Sequence, residues 1–229
     1  MAGDTIEVVL EIGEKRTFAC AADWPGWCRS AKDEPGALDA LVAYGTRYAD
    51  VLRGRRTGFR SPSDARALNV IERVDGNATT DFGAPDGVFA GDEQALGRRD
   101  LLRLTKILEG CWSAFDRAVE AAAGVELRKG PRGGGRDLGK IVAHVVGAEA
   151  SYVRRLAASG PKVDEHDQEA AAVVRDAVRD ALALAAKDGL PETGPRGGTL
   201  WTPTRFLRRA AWHVIDHAWE IEDRASPSR

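Results

Sequence analysis

Midway along this chain the spacing of apolar residues changes period, and that change limits the possible folds more than any other feature. From Ile6 to Ala22 the text IEVVLEIGEKRTFACAA alternates apolar and polar residues around GEK, the pattern of a strand, a tight turn and a second strand. DWPGWCRS supplies a Pro-Gly turn. DEPGALDALVAYGTRYADVL then switches to helical spacing through Leu38, Leu41, Val42, Tyr48 and Leu52. Asp33 or Glu34 before Pro35 suits a helix start, because proline's missing N–H costs nothing in the first turn. ALNVIERV, residues 67–74, returns to strand composition, and the turn-rich DGNATTDFGAPDG reads as a boundary. A small ββ(β)αβ domain over residues 1–88 is expected.

Beyond residue 90 every long segment has helical period. The first, about 92–123, aligns Leu101, Leu104, Leu108, Trp112, Phe115 and Val119 and ends at Gly124. After the basic connector RKGPRGGGR, a second helix, about 136–158, carries Ile141, His144, Val145, Ala148, Tyr152 and Leu156. A third, about 165–187, presents Ala170, Val174, Ala177, Ala181 and Leu184. DGLPETGPRGG separates it from a fourth, which follows Thr202-Pro203 and runs to about Arg224. Four such helices predict an all-α four-helix bundle over residues 89–229, and an α+β class for the whole. With 229 residues, 43% of them hydrophobic, the chain can bury one generous core or two small ones.

The net charge of -2 is small in both halves: 11 basic against 14 acidic residues up to position 88, and 22 against 21 after it. Neither half has the excess of a polyanion-binding domain, so nucleic acid is not the expected partner. No apolar run approaches the roughly 18 residues needed to cross a bilayer. The acidic N-terminus, with Asp4, Glu7 and Glu11, lacks signal-peptide character, so a cytoplasmic protein is expected. Cys20, Cys28 and Cys111 are odd in number and lack C-x-x-C spacing, which argues for reduced, partly buried thiols.

On the fourth helix the inward stripe is Phe206, Ala210, His213, His217 and Ile221. Two histidines therefore occupy core positions one turn apart. A buried imidazole needs partners for both its N–H and its lone pair. Two at i, i+4 can instead direct nitrogens at one metal ion, and His144 on the second helix can add a third ligand from across the bundle. A hydrogen-bonded core histidine is the bland alternative. His166, in DEHDQE, reads as solvated. Val214 after His213 removes the general base of an H-E-x-x-H protease, and HVIDH has Asp216 where the inverted zinc motif has glutamate.

These positions resemble the DinB/YfiT-like family, four-helix bundles with one histidine on helix two and an H-x-x-x-H pair on the last helix. IVAHVVGAEASYVRRL and WHVIDHAWEIEDR supply His144, His213 and His217. The resemblance, over about residues 90–229, implies a divalent metal, zinc or nickel first and iron or manganese next. It also implies, as in several members, transfer or isomerisation with a low-molecular-weight thiol and a small electrophilic substrate. The first half is similar to HicB-like antitoxin domains, through ADWPGWCRSAKDEPGALDAL; Cys28 falls one place late, and no DNA-binding segment follows. The alternative to a metal-dependent enzyme is a binding or regulatory protein whose N-terminal domain contacts a partner and whose bundle is a scaffold.

Other residues carry weaker signals. Glu149, Asp216 and Glu220 are the nearby carboxylates, one of which could orient a ligand imidazole through its second nitrogen or move a proton; against that, Glu220 and Arg224 form a well-oriented i, i+4 surface pair and Asp216 is expected to face solvent. Trp201, Trp212 and Trp219 could line a pocket, pack, or seal a homodimer, the expected assembly. Arg53, Arg55, Arg56 and Arg60 read as a solvated helix end before a phosphate site. GPRGGGR lacks the lysine and Ser/Thr of a P-loop.

Overall fold

The computed structural model describes residues 5–129, 135–194 and 197–225. Five of the nine residues of the predicted connector RKGPRGGGR, positions 130–134, lie outside them, as do Asp4 and positions 195–196 of the later linker. The chain is mixed α+β. Strands β1 (Ile6–Ile12), β2 (Thr17–Ala21), β3 (Cys28–Ala31) and β4 (Leu68–Asp75) form one sheet in the order β3-β2-β1-β4. β1 and β2 make the predicted antiparallel hairpin, and β4 returns parallel to β1 with a bulge at Val8/Val9. Alternation then sorts the side chains. Val8, Leu10, Ala19 and Ala21 enter the main core, whereas Val9, Phe18, Cys20 and Cys28 face a smaller cluster with Phe89 and Trp212.

The predicted helix after the Pro-Gly turn is two helices, α1 (Glu34–Ala43) and α2 (Gly45–Val51), meeting at Tyr44. Asp33 caps α1 by accepting from the Gly36 amide at 2.9 Å, with Pro35 in the first turn. Gly26 lies at φ +93, and a Cβ there would stand 3.3 Å from both the Ala211 carbonyl oxygen and Cys111 Sγ. The turn can therefore press its backbone directly onto the helical half. Trp27 and Tyr48 fill the space behind it; Trp27 Nε1 donates to the Leu41 carbonyl at 2.9 Å and the Tyr48 hydroxyl to the Pro25 carbonyl at 2.7 Å.

The segment expected to be a turn-rich boundary contains a short helix, α3 (Ala78–Phe82), capped by Asn77. Buried Glu11 accepts from the Thr80 hydroxyl and from the Asp86 amide at 2.9 Å, fastening this segment to β1. Four long helices follow: α4 (Arg98–Ala121), α5 (Leu138–Tyr152), α6 (Ala170–Asp188) and α7 (Pro203–Ala225). α7 packs on α4 and α5, and α5 on α6. On α6 the buried stripe is Ala170, Val174, Val178, Ala181, Leu182 and Ala185; Leu184, expected inside, is exposed. One apolar cluster runs through both halves, joining Leu10, Trp27 and Leu41 to Ile107, Phe206 and Ile215.

The expectation of reduced thiols fails for two of the three cysteines. Cys20 and Cys28 are directly opposed across β2 and β3 and are joined in a disulfide, because register brings together residues that spacing alone does not. Cys111 is free, buried, and held protonated by that burial and by the nearby Glu149 charge.

Candidate metal centre

α7 is long and apolar on its inner side. Its Phe206, Leu207, Ala210, Ala211, Val214, Ile215, Ala218 and Ile221 are buried, so residues set among them go inward with them. His213 is buried and His217 half-buried on this face. α5 begins at an Asp137 cap, its side chain accepting from the Lys140 amide at 2.8 Å, and buries Ile141 and Val145 on either side of His144. The crossing of the two helices brings the three imidazoles together. Nε2 of His144 and Nε2 of His213 are 3.2 Å apart, and the ligand atoms of all three lie within 4.8 Å of one another. Ring centroids are 5.0, 5.0 and 4.8 Å apart, with interplanar angles of 62°, 84° and 83°. These rings converge edge-on instead of stacking.

Burial is the main reason that His144 is shifted down to about 4 and His213 well below its ordinary value; the nearby His217, Arg136 and, for His213, Arg209 act in the same direction. Both are neutral at physiological pH, the form that ligates metals. Nδ1 of His213 has no hydrogen-bond partner among the described residues. Nδ1 of His217 meets Oε2 of Glu220 at 2.8 Å, leaving Nε2 as its second nitrogen. Arg224 Nη1 donates to the other Glu220 oxygen at 2.7 Å and is anchored through Nη2 on the Arg136 carbonyl at 2.8 Å. Glu220 is thus both the partner of Arg224 that its spacing predicts and the carboxylate that holds His217. The sequence left that second role open among three carboxylates, and the i, i+3 offset on one helix is what singles out Glu220.

The other two carboxylates lie elsewhere. Asp216 accepts from Arg29 Nη1 at 2.9 Å and ties α7 to β3. Glu149 is buried on another side of α5, where Trp112 Nε1 donates to it at 2.6 Å; burial pushes its carboxyl up to about 7 against that hydrogen bond. Trp201 stands beside Tyr152, which in turn lies 5.9 Å from the His213 ring, while Trp219 packs on Tyr44 and Trp212 on Phe18. The two tryptophans on α7 are packing residues.

A tetrahedral ion with nitrogens at 2.0–2.1 Å separates each pair of ligands by about 3.3 Å. The His144–His213 separation meets that spacing as it stands, and the three residues could together hold a metal ion. Fold and cluster define a mixed α+β protein with a three-histidine candidate metal site between two of its long helices. The sequence pattern of the DinB superfamily matches residues 107–221, which include all three histidines, and the chain belongs to that superfamily. No curated protein and no solved structure matches it. Among the described residues no helix is long and apolar enough to cross a membrane.

Proposed function

We propose that this chain is a divalent-metal-dependent enzyme in which His144, His213 and His217 hold the metal, zinc or nickel before iron or manganese. Its chemistry is the transfer of a low-molecular-weight thiol to a small electrophile, or a thiol-assisted isomerisation. The observation that carries this reading is the pair of neutral Nε2 atoms 3.2 Å apart in a buried setting where His213 Nδ1 has no protein partner. Bound there with a coordination position left open, a divalent ion would lower the pKa of a thiol or water and supply a nucleophile near neutral pH. The protein's own part is orientation. Glu220 fixes the ring of His217, Arg224 fixes Glu220, and burial keeps His144 and His213 unprotonated. Tyr152 and Trp201 form an aromatic wall on the His213 side.

α4 to α7 are taken as a four-helix bundle, supported by the packing of α7 on α4 and α5. The N-terminal sheet with its α1–α2 crossover is taken as the HicB-like unit, and the protein as a cytoplasmic homodimer.

Metal analysis of untagged protein beside a His213→Ala variant tests the centre. Near-stoichiometric zinc, nickel, iron or manganese in the parent, absent from a still-folded variant, is the expected result; metal-free protein in both cases overturns it. Transfer of a small thiol to an electrophile should accompany the metal and vanish with it. Metal without transfer for any thiol would favour the non-catalytic reading, with the helical half as scaffold.

A further inference from the structure

A cluster of cations lies at the N-terminal end of α4 and includes none of the three histidines. A cavity of about 600 Å³ opens between the turn after α2 and the first turns of α4, lined by Arg55, Arg56, Thr57, Arg98, Arg99, Leu102, Arg103 and Lys106. Six of its eight lining residues are cations and none is acidic, in a chain whose net charge is -2. Arg55 is engaged by Ser113 and Glu109, and Arg103 by the Asp23 carbonyl. Arg56, Arg98, Arg99 and Lys106 have no ion-pair partner among the described residues. They are also exposed, so their charges are available to a ligand.

This arrangement opposes ordinary helix electrostatics. A helix N-terminus carries partial positive charge and favours acids, yet the first three turns of α4 hold Arg98, Arg99, Arg103 and Lys106 on the cavity side. The Gly97 cap offers no side-chain acceptor to the first amides, and Asp100, the only acid of the first turn, points to a different cleft. Sequence separation hides the cluster, since Arg55 and Arg56 lie some forty positions from the rest and read alone as a solvated helix end.

We propose that this cavity binds a small ligand carrying two or more phosphate groups, such as a nucleoside polyphosphate or inorganic pyrophosphate. Four unengaged cations exceed what one carboxylate neutralises, and a phosphate group carries roughly −1.5 to −2 charges at neutral pH, so two groups match the count. Guanidinium forks recognise phosphate oxygens two at a time, and the exposed Leu102 gives an apolar contact for the remainder of an organic ligand.

The test is calorimetric titration of pyrophosphate and of ATP into the full chain at about 0.15 M salt, where loose surface attraction is screened. Saturable one-to-one binding is expected, with sulfate weaker. The Arg99→Glu/Lys106→Glu double variant should lose about ten-fold or more in affinity, by charge reversal at two charge-assisted contacts, while melting temperature and metal content stay unchanged. The neutral Arg99→Gln/Lys106→Gln pair should fall between. His213→Ala protein should bind pyrophosphate as the parent does. Loss of binding in that variant would place the anion at the histidines and overturn the proposal. So would an unaffected double variant, or affinity for a single-stranded RNA with none for pyrophosphate or ATP.

Discussion

α7 carries two buried polar centres five residues apart, and they are finished to different degrees. Arg208 donates through Nε to Asp92 Oδ1 at 3.0 Å, through Nη2 to Asp92 Oδ2 and to the Gly87 carbonyl at 3.0 Å, and its guanidinium lies 3.6 Å over the Phe89 ring. Asp92 also accepts from the Phe89 amide at 2.9 Å, so both carboxylate oxygens and two of the three guanidinium nitrogens are engaged within the chain. His213, on the same helix and equally buried, has one nitrogen without a partner and the other facing a second imidazole. Buried polar groups are costly unless satisfied, and a fold that completes one such centre while leaving its neighbour open is shaped for something the chain does not itself contain. The first centre holds the segment between the halves onto α7. The second reads as a binding site.

The comparison breaks most readily at the finished centre. Asp92→Ala removes one partner of a buried ion pair and strands the Arg208 charge, which should cost about 3–5 kcal/mol of folding stability in denaturant titration. Metal content per folded molecule should be unchanged. A loss under about 1 kcal/mol, the scale of an exposed pair, would show that the two centres do not differ as argued.

Glu149 sharpens the contrast because it is another buried polar group, on α5, with Trp112 as its hydrogen-bond partner. Its carboxyl titrates near 7 in the folded chain against 4.5 when free, so the folded state keeps a proton that the unfolded state has lost. Its contribution is therefore full below pH 4.5 and disappears as pH rises to about 7, a loss of up to about 3 kcal/mol. The depressed histidines act with the opposite sign in metal-free protein. His144, at about 4, and His213 leave the unfolded state with more bound protons below its ordinary value of 6.5, so stability falls as pH drops below that point. Between about 4.5 and 6.5 the two slopes oppose. Glu149→Gln should remove the first and expose the second, so that the apo variant gains stability with rising pH across this range and exceeds the parent at pH 8. Urea midpoints at pH 5, 6.5 and 8 measure it; a variant with the parent's profile would assign the titration to another group.

The open centre was easier to read from the sequence than the closed one. His213 and His217 announce themselves through a stripe of large apolar residues on α7, and His144 through its place between Ile141 and Val145. Asp92 sits in a short 3-10 turn with no periodicity, and its partner is 116 positions away, so only tertiary structure joins them. Strand β3 has four residues, CRSA, with no alternation; it is a strand because β2 offers it an edge. The same pairing opposes Cys20 to Cys28. On α6 an abundance of alanine leaves the stripe weakly marked, and the reading that included Leu184 is rotated away from the buried Leu182 and Ala185. The hairpin, the α1 cap and all four long helices depended on local signals and are present, but α4 begins at Arg98 where about 92 was expected, α5 ends at Tyr152 where about 158 was expected, and α6 begins at Ala170 where about 165 was expected.

The smallest expected effect separates the two carboxylates that flank His217. Glu220 touches the imidazole at 2.8 Å, whereas Asp216, one residue before His217, is spent on Arg29 at the sheet. Glu220→Gln retains an oxygen that can accept from Nδ1 but removes the charge that raises the ring's basicity, and partners of this kind typically contribute about ten- to hundred-fold in metal affinity. A chelator competition should show zinc held that much more weakly by Glu220→Gln and as tightly as in the parent by Asp216→Asn. The Asp216 change is confined to a partly exposed ion pair and should cost under about 1 kcal/mol of stability. Equal weakening by both substitutions would mean that general negative charge near α7, and not the oriented Glu220 contact, supports the site. The Arg224 guanidinium provides the same distinction from behind. Its hold on the Arg136 carbonyl means that Arg224→Ala should free Glu220 to swing and reproduce the Glu220→Gln loss, with every ligand imidazole still in place.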